Sequence, residues 1–307
     1  LPVSGFMRVY RALEEVPPHP AGSCVALGVF DGVHRGHREV LRAAVQRARE
    51  DSWRSVALTF HPHPQQVIGR APESFLILPL EERLRRIATL GLDAALVLRF
   101  DDRLRNTEPE EFVQRVLVEG LGARAVVCGP DFRFGRDRRG DPRLLEEEGR
   151  RWGFAVVVCP PVVADGERVS SSRIRALLRE GRVEEACELL AHPEVVACVV
   201  QAGRVLVVEA SGHLHLPKAA VLPEEGPEKA LARALAEAAE VGETPQARLL
   251  ARLPVPETLE VWYAYALQTN PAKLTPQGRW VTPEERALAA PYRRVVDLAL
   301  RQPGICR

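Results

Sequence analysis

Up to about Leu190 the chain alternates between two periodicities, and this limits its fold more than any single residue. Apolar runs at Cys24–Gly28, Ser55–Phe60, Ala94–Leu98, Ala125–Gly129 and Ala155–Cys159 read as buried strands. Between and after them lie helical patterns at His37–Glu50, Leu80–Leu90, Pro109–Glu119, Pro142–Trp152 and Ser171–Glu180, with a last one at Val183–Leu190. In the first of these, Val40, Leu41, Ala44 and Val45 fall on one face. Alternation of this kind predicts an α/β fold, a Rossmann-like, doubly wound parallel sheet with helices on both faces. Ligands of such sheets bind beyond the carboxyl ends of the strands. The residues just after each strand are therefore the ones to inspect.

After the first strand comes Gly-Val-Phe-Asp-Gly-Val-His-Arg-Gly-His, residues 28–37. Gly28, Gly32 and Gly36 let the backbone approach a ligand closely. The helix that follows presents unpaired N–H groups to an anion. His34 and His37 sit three residues apart at that junction, where their N–H groups can stabilise charge developing on a phosphate. After the second strand, Phe60-His61-Pro62-His63-Pro64 reads as a rigid extended loop. After the fourth, Gly129-Pro130-Asp131-Phe132-Arg133-Phe134-Gly135 offers aromatic faces for a flat heterocycle and a guanidinium for a phosphate. After the fifth, Arg168 precedes Ser170-Ser171-Ser172 and Arg175. One serine is an ordinary helix cap. Three serines between arginines at one helix start make a second phosphate site.

The His-x-Gly-His segment resembles the signature of the nucleotidyltransferase superfamily. With Phe30-Asp31-Gly32 before it, it resembles the bacterial FAD synthetase domain. The Pro-His-Pro, Asp-Phe-Arg-Phe-Gly and Ser-Ser-Ser-x-Ile-Arg segments follow in that family's order, over roughly residues 22–190. One departure is His61, where the family usually has Glu. The resemblance implies transfer of AMP from ATP to FMN, with Mg²⁺ accompanying ATP and FAD and pyrophosphate as products. It implies catalytic roles for His34, His37, Arg168, Ser171, Ser172 and Arg175. It places ATP against Gly28, Phe30, Asp31, Gly32, Gly36 and Asp131, with Asp131 near the metal. It places FMN against Phe60, Pro62, His63, Pro64, Phe132, Arg133 and Phe134. Another adenylyltransferase acceptor, such as nicotinamide mononucleotide, or a flavin-binding regulator are the rival readings.

The 307 residues suffice for two domains, expected at 1–192 and 193–307. The formal net charge is +1 and there is no long basic run, so a nucleic-acid partner is not expected. Six scattered cysteines without Cys-x-x-Cys read as reduced core thiols of a cytoplasmic protein. No apolar run approaches the ~20 residues of a membrane span. Homo-oligomerisation is compatible with the sequence, and so is a native start at Met7, the one methionine, with residues 1–6 upstream of it.

From Pro193 the pattern changes to a hairpin, Val195–Gln201 and Arg204–Glu209, around Ala202-Gly203. A helix from Pro227 to about Ala239, strands Ala247–Leu253 and Leu259–Leu267, and a final helix Thr282–Leu300 announced by Trp280-Val281 follow. This order resembles a smaller, Nudix-like α+β domain. The Gly-x-Pro-Thr-Ala-Asn segment of the riboflavin kinase barrel is absent. Anchoring the Nudix signature on Arg233 puts its first Gly on Ala219, its first Glu on Glu225 and its helix carboxylates on Ala234, Glu237 and Ala238. Its late Gly falls on Glu240, and Val241 closes the motif. Two of the three helix carboxylates are thus missing, so a degenerate domain without hydrolase activity is expected, regulatory or structural in role. Glu237 then reads as a solvated helix residue, with Ala230, Leu231, Ala234, Leu235 and Ala238 as the packing stripe.

Overall fold

The computed structural model describes residues 7–69, 76–190, 193–201, 204–210, 213–220, 227–236, 239–240, 246–255, 260–268, 273–275, 278–281, 292, 295–297 and 299. The chain divides into two compact units between Gly181 and Arg182.

The first unit opens with β1 (Arg8–Tyr10) and β2 (Ser23–Leu27), then α1 (Arg35–Glu50) and β3 (Arg54–His61). There follow α2 (Pro64–Val67), α3 (Leu80–Ala88), β4 (Ala94–Arg99), α4 (Asp102–Arg105) and α5 (Pro109–Phe112). A π-helix, Val113–Gly120, continues α5, so one helical stretch was expected and two geometries are found. Then come β5 (Ala123–Cys128), α6 (Pro142–Trp152), β6 (Ala155–Val158), the ribbon β7 (Val163–Ala164) and β8 (Glu167–Arg168), and α7 (Ser171–Arg179).

Six strands form one parallel sheet in the order β1-β4-β3-β2-β5-β6. Alternate residues of each strand face opposite sides. Cys24, Ala26, Ala57, Ala95 and Ala125 pack with Leu41 and Ala44 of α1 and Ile87 of α3. Val25, Leu27, Val56, Leu58 and Val126 pack on the other face with Phe112, Leu117 and Leu145. The two faces therefore differ in bulk. Small strand side chains leave room for α1, and larger ones fill the space under the π-helix and α6. Chain order reverses at β2, whose neighbours are β3 and β5, and the crevice at that reversal opens at the end of β2.

The edge strand β1 was not expected. Only three residues long and without a buried residue, it carries too little periodicity to read. By contrast, α6 ends as its sequence implies: Asp141 caps it, Pro142 starts it, and Gly153 closes it in the left-handed region at φ 80°.

The second unit begins with α8 (Val183–Leu190). Its main sheet runs β11 (His213–His215), β10 (Arg204–Ala210), β9 (Pro193–Gln201), β15 (Glu260–Gln268), β14 (Gln246–Val255). β12 (Lys218–Ala220) also pairs with β9, and β17 (Gly278–Val281) with β10. A short pair, β13 (Ala239–Glu240) with β16 (Lys273–Leu274), stands apart. β9 and β15 are parallel, and the other pairs are antiparallel. α9 (Pro227–Ala236) buries Ala230, Leu231 and Leu235 against Ala197, Val199, Leu206 and Val208.

Trp280 and Val281 belong to strand β17, and they bring it alongside β10. Of the expected final helix, residues 292, 295–297 and 299 are described and helical, and the rest lies outside the described residues. Glu225, Glu237, Ala238, Val241 and Cys306 also lie outside them. Among the described residues the five remaining cysteines are buried, and no helix is long and apolar enough to cross a membrane.

Candidate active site

The loop after β2 is built around strained backbone. Phe30 and Val33 take φ of 55° and 43°, a region that L-residues rarely occupy. Packing holds them there: both side chains are buried, and the Val33 N–H donates to the Phe30 carbonyl at 3.0 Å. Gly28 is required beside them, since a Cβ there would lie 2.8 Å from the Phe30 ring. This turn delivers His34 to the N-cap of α1, where its Nδ1 accepts the His37 N–H at 3.3 Å. That bond leaves the His34 proton on Nε2. The two imidazoles stack with centroids 3.6 Å apart, and Phe30 meets His37 edge-on at 5.4 Å.

Both histidines are held neutral. Burial pushes the His34 pKa down to about 3, helped by the charges of Arg168 and Arg175. His37 is pushed well below the usual range by burial, then by His34, Arg83 and Arg175. Its Nδ1 is buried without a hydrogen-bond partner.

A cavity of about 290 Å³ opens here, at the carboxyl ends of the strands. Its wall brings together Gly28, Phe30, Gly36, His34 and His37 from the first loop. Asp131, Phe132 and Arg133 come from the loop after β5, and Arg168 and Ser171 from β8 and α7. Arg168 pairs with Asp131 across the cavity. Ser170 also lines it while capping α7 through the Arg173 N–H. Ser171 donates to the Asp31 carbonyl at 3.1 Å.

Other candidate residues stand behind that wall. Asp31 is 1% exposed, and its carboxylate accepts the Ile77 and Leu78 N–H groups and the Arg175 guanidinium. Asp31 and Arg175 thus meet each other, and neither lines the cavity. Phe134 is core: it packs on Phe112 at 5.5 Å and stacks beneath Phe132 at 5.8 Å. Phe60 is core as well, between Phe100 and Phe112. His63 is buried as the cap of α2, accepting the Gln65 N–H, with Pro64 at its first position. Pro62 and Ser172 are exposed, and they and Gly32 are not in the cavity wall.

Arg83 is a residue that pattern reading missed. It is 2% exposed on α3, and it donates to the Val29 carbonyl at 2.8 Å and the Phe60 carbonyl at 3.1 Å. It ties together the ends of β2 and β3 from which the site loops depart. A lone arginine in an amphipathic helix reads as solvated, and nothing local marked it.

The FAD synthetase family model matches residues 16–173, just over half of the chain. The chain belongs to the FAD synthetase family. A Geobacillus thermodenitrificans protein, named provisionally as a bifunctional riboflavin kinase/FMN adenylyltransferase, is 43% identical over 172 residues. That alignment takes in 56% of this chain and 91% of the relative. The enzyme of that name from Pseudomonas fluorescens is 38% identical over 204 residues, 65% of this chain and 62% of its own length. The chain therefore spans about three fifths of that bifunctional relative. The crystal structure of a Streptococcus pneumoniae macrolide-efflux protein shares the fold, at TM-score 0.55 and 24% identity over 71% of this chain and 79% of its own. A Nudix-family hydrolase from Clostridium perfringens aligns with 36% of the chain at TM-score 0.30 and 12% identity. At that level the Nudix-like character of the second unit rests on its own strand order and sequence pattern.

The FAD synthetase segments thus fall into two sets. One set lines the cavity, and the other braces it.

Proposed function

We propose that this FAD synthetase family member transfers AMP from ATP to FMN, releasing pyrophosphate. The observation that carries the reading is the meeting of His34, His37, Arg168 and Ser171 around one cavity that also holds the ring of Phe132. An FMN phosphate oxygen attacks the α-phosphorus of ATP, and the bond from that phosphorus to the bridging oxygen of the leaving pyrophosphate breaks. The acceptor is already a phosphate, so no protein nucleophile is needed. The work is positioning and charge stabilisation. His34 and His37, both neutral, offer N–H groups to the α-phosphate as its charge builds. Arg168 and the start of α7 hold the leaving pyrophosphate.

Mg²⁺ would enter with ATP, and Asp131 is the carboxylate that the cavity offers it. Among the described residues no group of three His, Cys, Asp or Glu side chains could hold a metal alone. Mg²⁺ keeps waters and binds through one or two carboxylates plus substrate phosphates. When bound it neutralises phosphate charge.

No catalytic step is assigned to the second unit. Ala234, where the Nudix signature has a helix carboxylate, is fully buried in its core. The unit is read as regulatory or structural.

Product analysis with ATP, Mg²⁺ and either riboflavin or FMN tests this reading. FAD from FMN and nothing from riboflavin is expected. FMN formed from riboflavin would give the second unit a kinase role. No product from either would remove the adenylyltransferase reading.

A further inference from the structure

Arg138 lines the same cavity, and no motif marked it. Three arginines stand within residues 136–139. Arg136 and Arg139 both donate to Glu108, at 3.3 and 2.7 Å. The Arg138 guanidinium has no hydrogen bond or ion pair among the described residues. We infer that Arg138 is the guanidinium that receives the phosphate of the acceptor, a flavin mononucleotide; this deepens the FMN reading above and rests on it.

The loop holds Arg138 in place before any ligand arrives. Phe134 and Gly140 exchange backbone hydrogen bonds at 3.1 and 2.9 Å, closing the loop at its base. Gly135 sits at φ 69° against Pro109, where a Cβ would lie 2.8 Å from the proline nitrogen. The Arg136 N–H donates to the Thr107 carbonyl at 2.7 Å. Asp137 and Arg138 then occupy consecutive left-handed conformations, φ 53° and 59°. Anchors at both ends over-determine that strained pair. With its neighbours spent on Glu108, the third arginine is the one left for the cavity.

The choice of acceptor rather than donor follows from chain position. Arg168 is tethered by Asp131 and stands beside Ser170 and Ser171 at the start of α7, which suits the triphosphate. Arg138 shares its loop with Phe132, whose ring stacks on Phe134. A flat ring surface and a guanidinium fork on one loop match the two parts of flavin mononucleotide, an aromatic ring system and a terminal phosphate.

The test compares binding of FMN and riboflavin to the full chain by quenching of flavin fluorescence, with Arg138→Gln and Arg138→Lys. The wild-type chain should prefer FMN, and Arg138→Gln should weaken FMN binding by ~10-fold or more while leaving riboflavin unchanged. Arg138→Lys should restore part of the loss, since it returns the charge without the fork. In steady state, KM for FMN should rise and KM for ATP should not. Equal losses for FMN and riboflavin would overturn the proposal in favour of a loop-shaping role. A rise in KM for ATP alone would assign Arg138 to the triphosphate and overturn it too. Wild-type protein that binds FMN in preference to riboflavin and forms no FAD would refute the transfer reaction and leave the phosphate site standing. Wild-type protein without that preference would refute the phosphate site, whether or not FAD forms.

Discussion

Asp31 and Arg175, 144 residues apart in the chain, form an ion pair at 2.5 Å behind the cavity wall, with Asp31 buried and Arg175 half-buried. The pair joins the turn after β2 to helix α7. Asp31 adds the Ile77 and Leu78 N–H groups to the same knot. Three separate segments therefore meet at one carboxylate, and the turn after β2 and the start of α7 are held in register by it.

Breaking the pair removes the acidic partner of a half-buried guanidinium. Asp31→Asn should lower unfolding free energy by about 1–3 kcal/mol, the cost of weakening charge-assisted hydrogen bonds at a buried carboxylate. Arg168→Gln makes the contrast. Arg168 is 44% exposed and pairs with an exposed Asp131, so its loss should leave the urea midpoint nearly unchanged and cut kcat by ~10²-fold. Denaturation curves and kcat for the two variants check the division. A stable Asp31→Asn protein would show that the knot contributes little.

His34 both caps α1 and faces the cavity. Asn can keep the cap, so His34→Asn should retain stability to within about 1 kcal/mol while kcat falls ~10²-fold or more. His34→Ala should lose both. Full activity in a folded His34→Asn enzyme would remove the imidazole from the reaction.

Acid should unfold this protein in a particular window. The pKa values of His34 and His63 are lowered from 6.5 to about 3 and about 4, with burial the main cause in each. Between those values and 6.5 the unfolded chain binds more protons than the folded one. The stabilisation is therefore complete above pH 6.5 and is lost as pH falls towards 4 and then 3. Melting temperatures recorded from pH 7.5 to 4 should decline, and His63→Asn, which keeps the α2 cap, should flatten part of the decline. A level profile in the wild-type chain would contradict the neutral, buried state of these rings.

Arg83 braces two strand ends through backbone carbonyls. Arg83→Met would leave the Val29 and Phe60 carbonyls short of a donor, at about 1–3 kcal/mol in total unfolding free energy. Because Val29 leads into the Phe30 turn, kcat should fall as well, although Arg83 does not line the cavity. Unchanged kinetics in a destabilised Arg83→Met protein would confine the residue to stability.

Much of the first unit was legible because its strands are short apolar runs and its helices are strongly one-sided. Periodicity placed β2 through β6 and the helices that cover them within a few residues. The candidate site was legible as segments, because glycine, histidine and serine clusters fall just after strands, where parallel sheets place their ligands. What sequence could not divide was wall from brace. Phe132 and Phe134 are two residues apart on one loop, and only three-dimensional packing sends the first to the cavity and the second to the core. Arg168 and Arg175 look alike in sequence, and the long-range partner Asp31 is what separates them. Arg83 and Arg138 were missed for the same reason: what sets them apart is contacts, or the lack of them, that no local pattern encodes.

The one-sided hanging of the site from the strand ends has a practical corollary for anyone wishing to label or graft this protein. The returns at Ser52, Gly91, Gly122 and Gly153 join helix to strand at the amino ends of the strands, all solvent-exposed, and contribute nothing to the cavity wall. Fluorophores, affinity handles or inserted peptides belong there, with the length of the strands between the graft and the cavity.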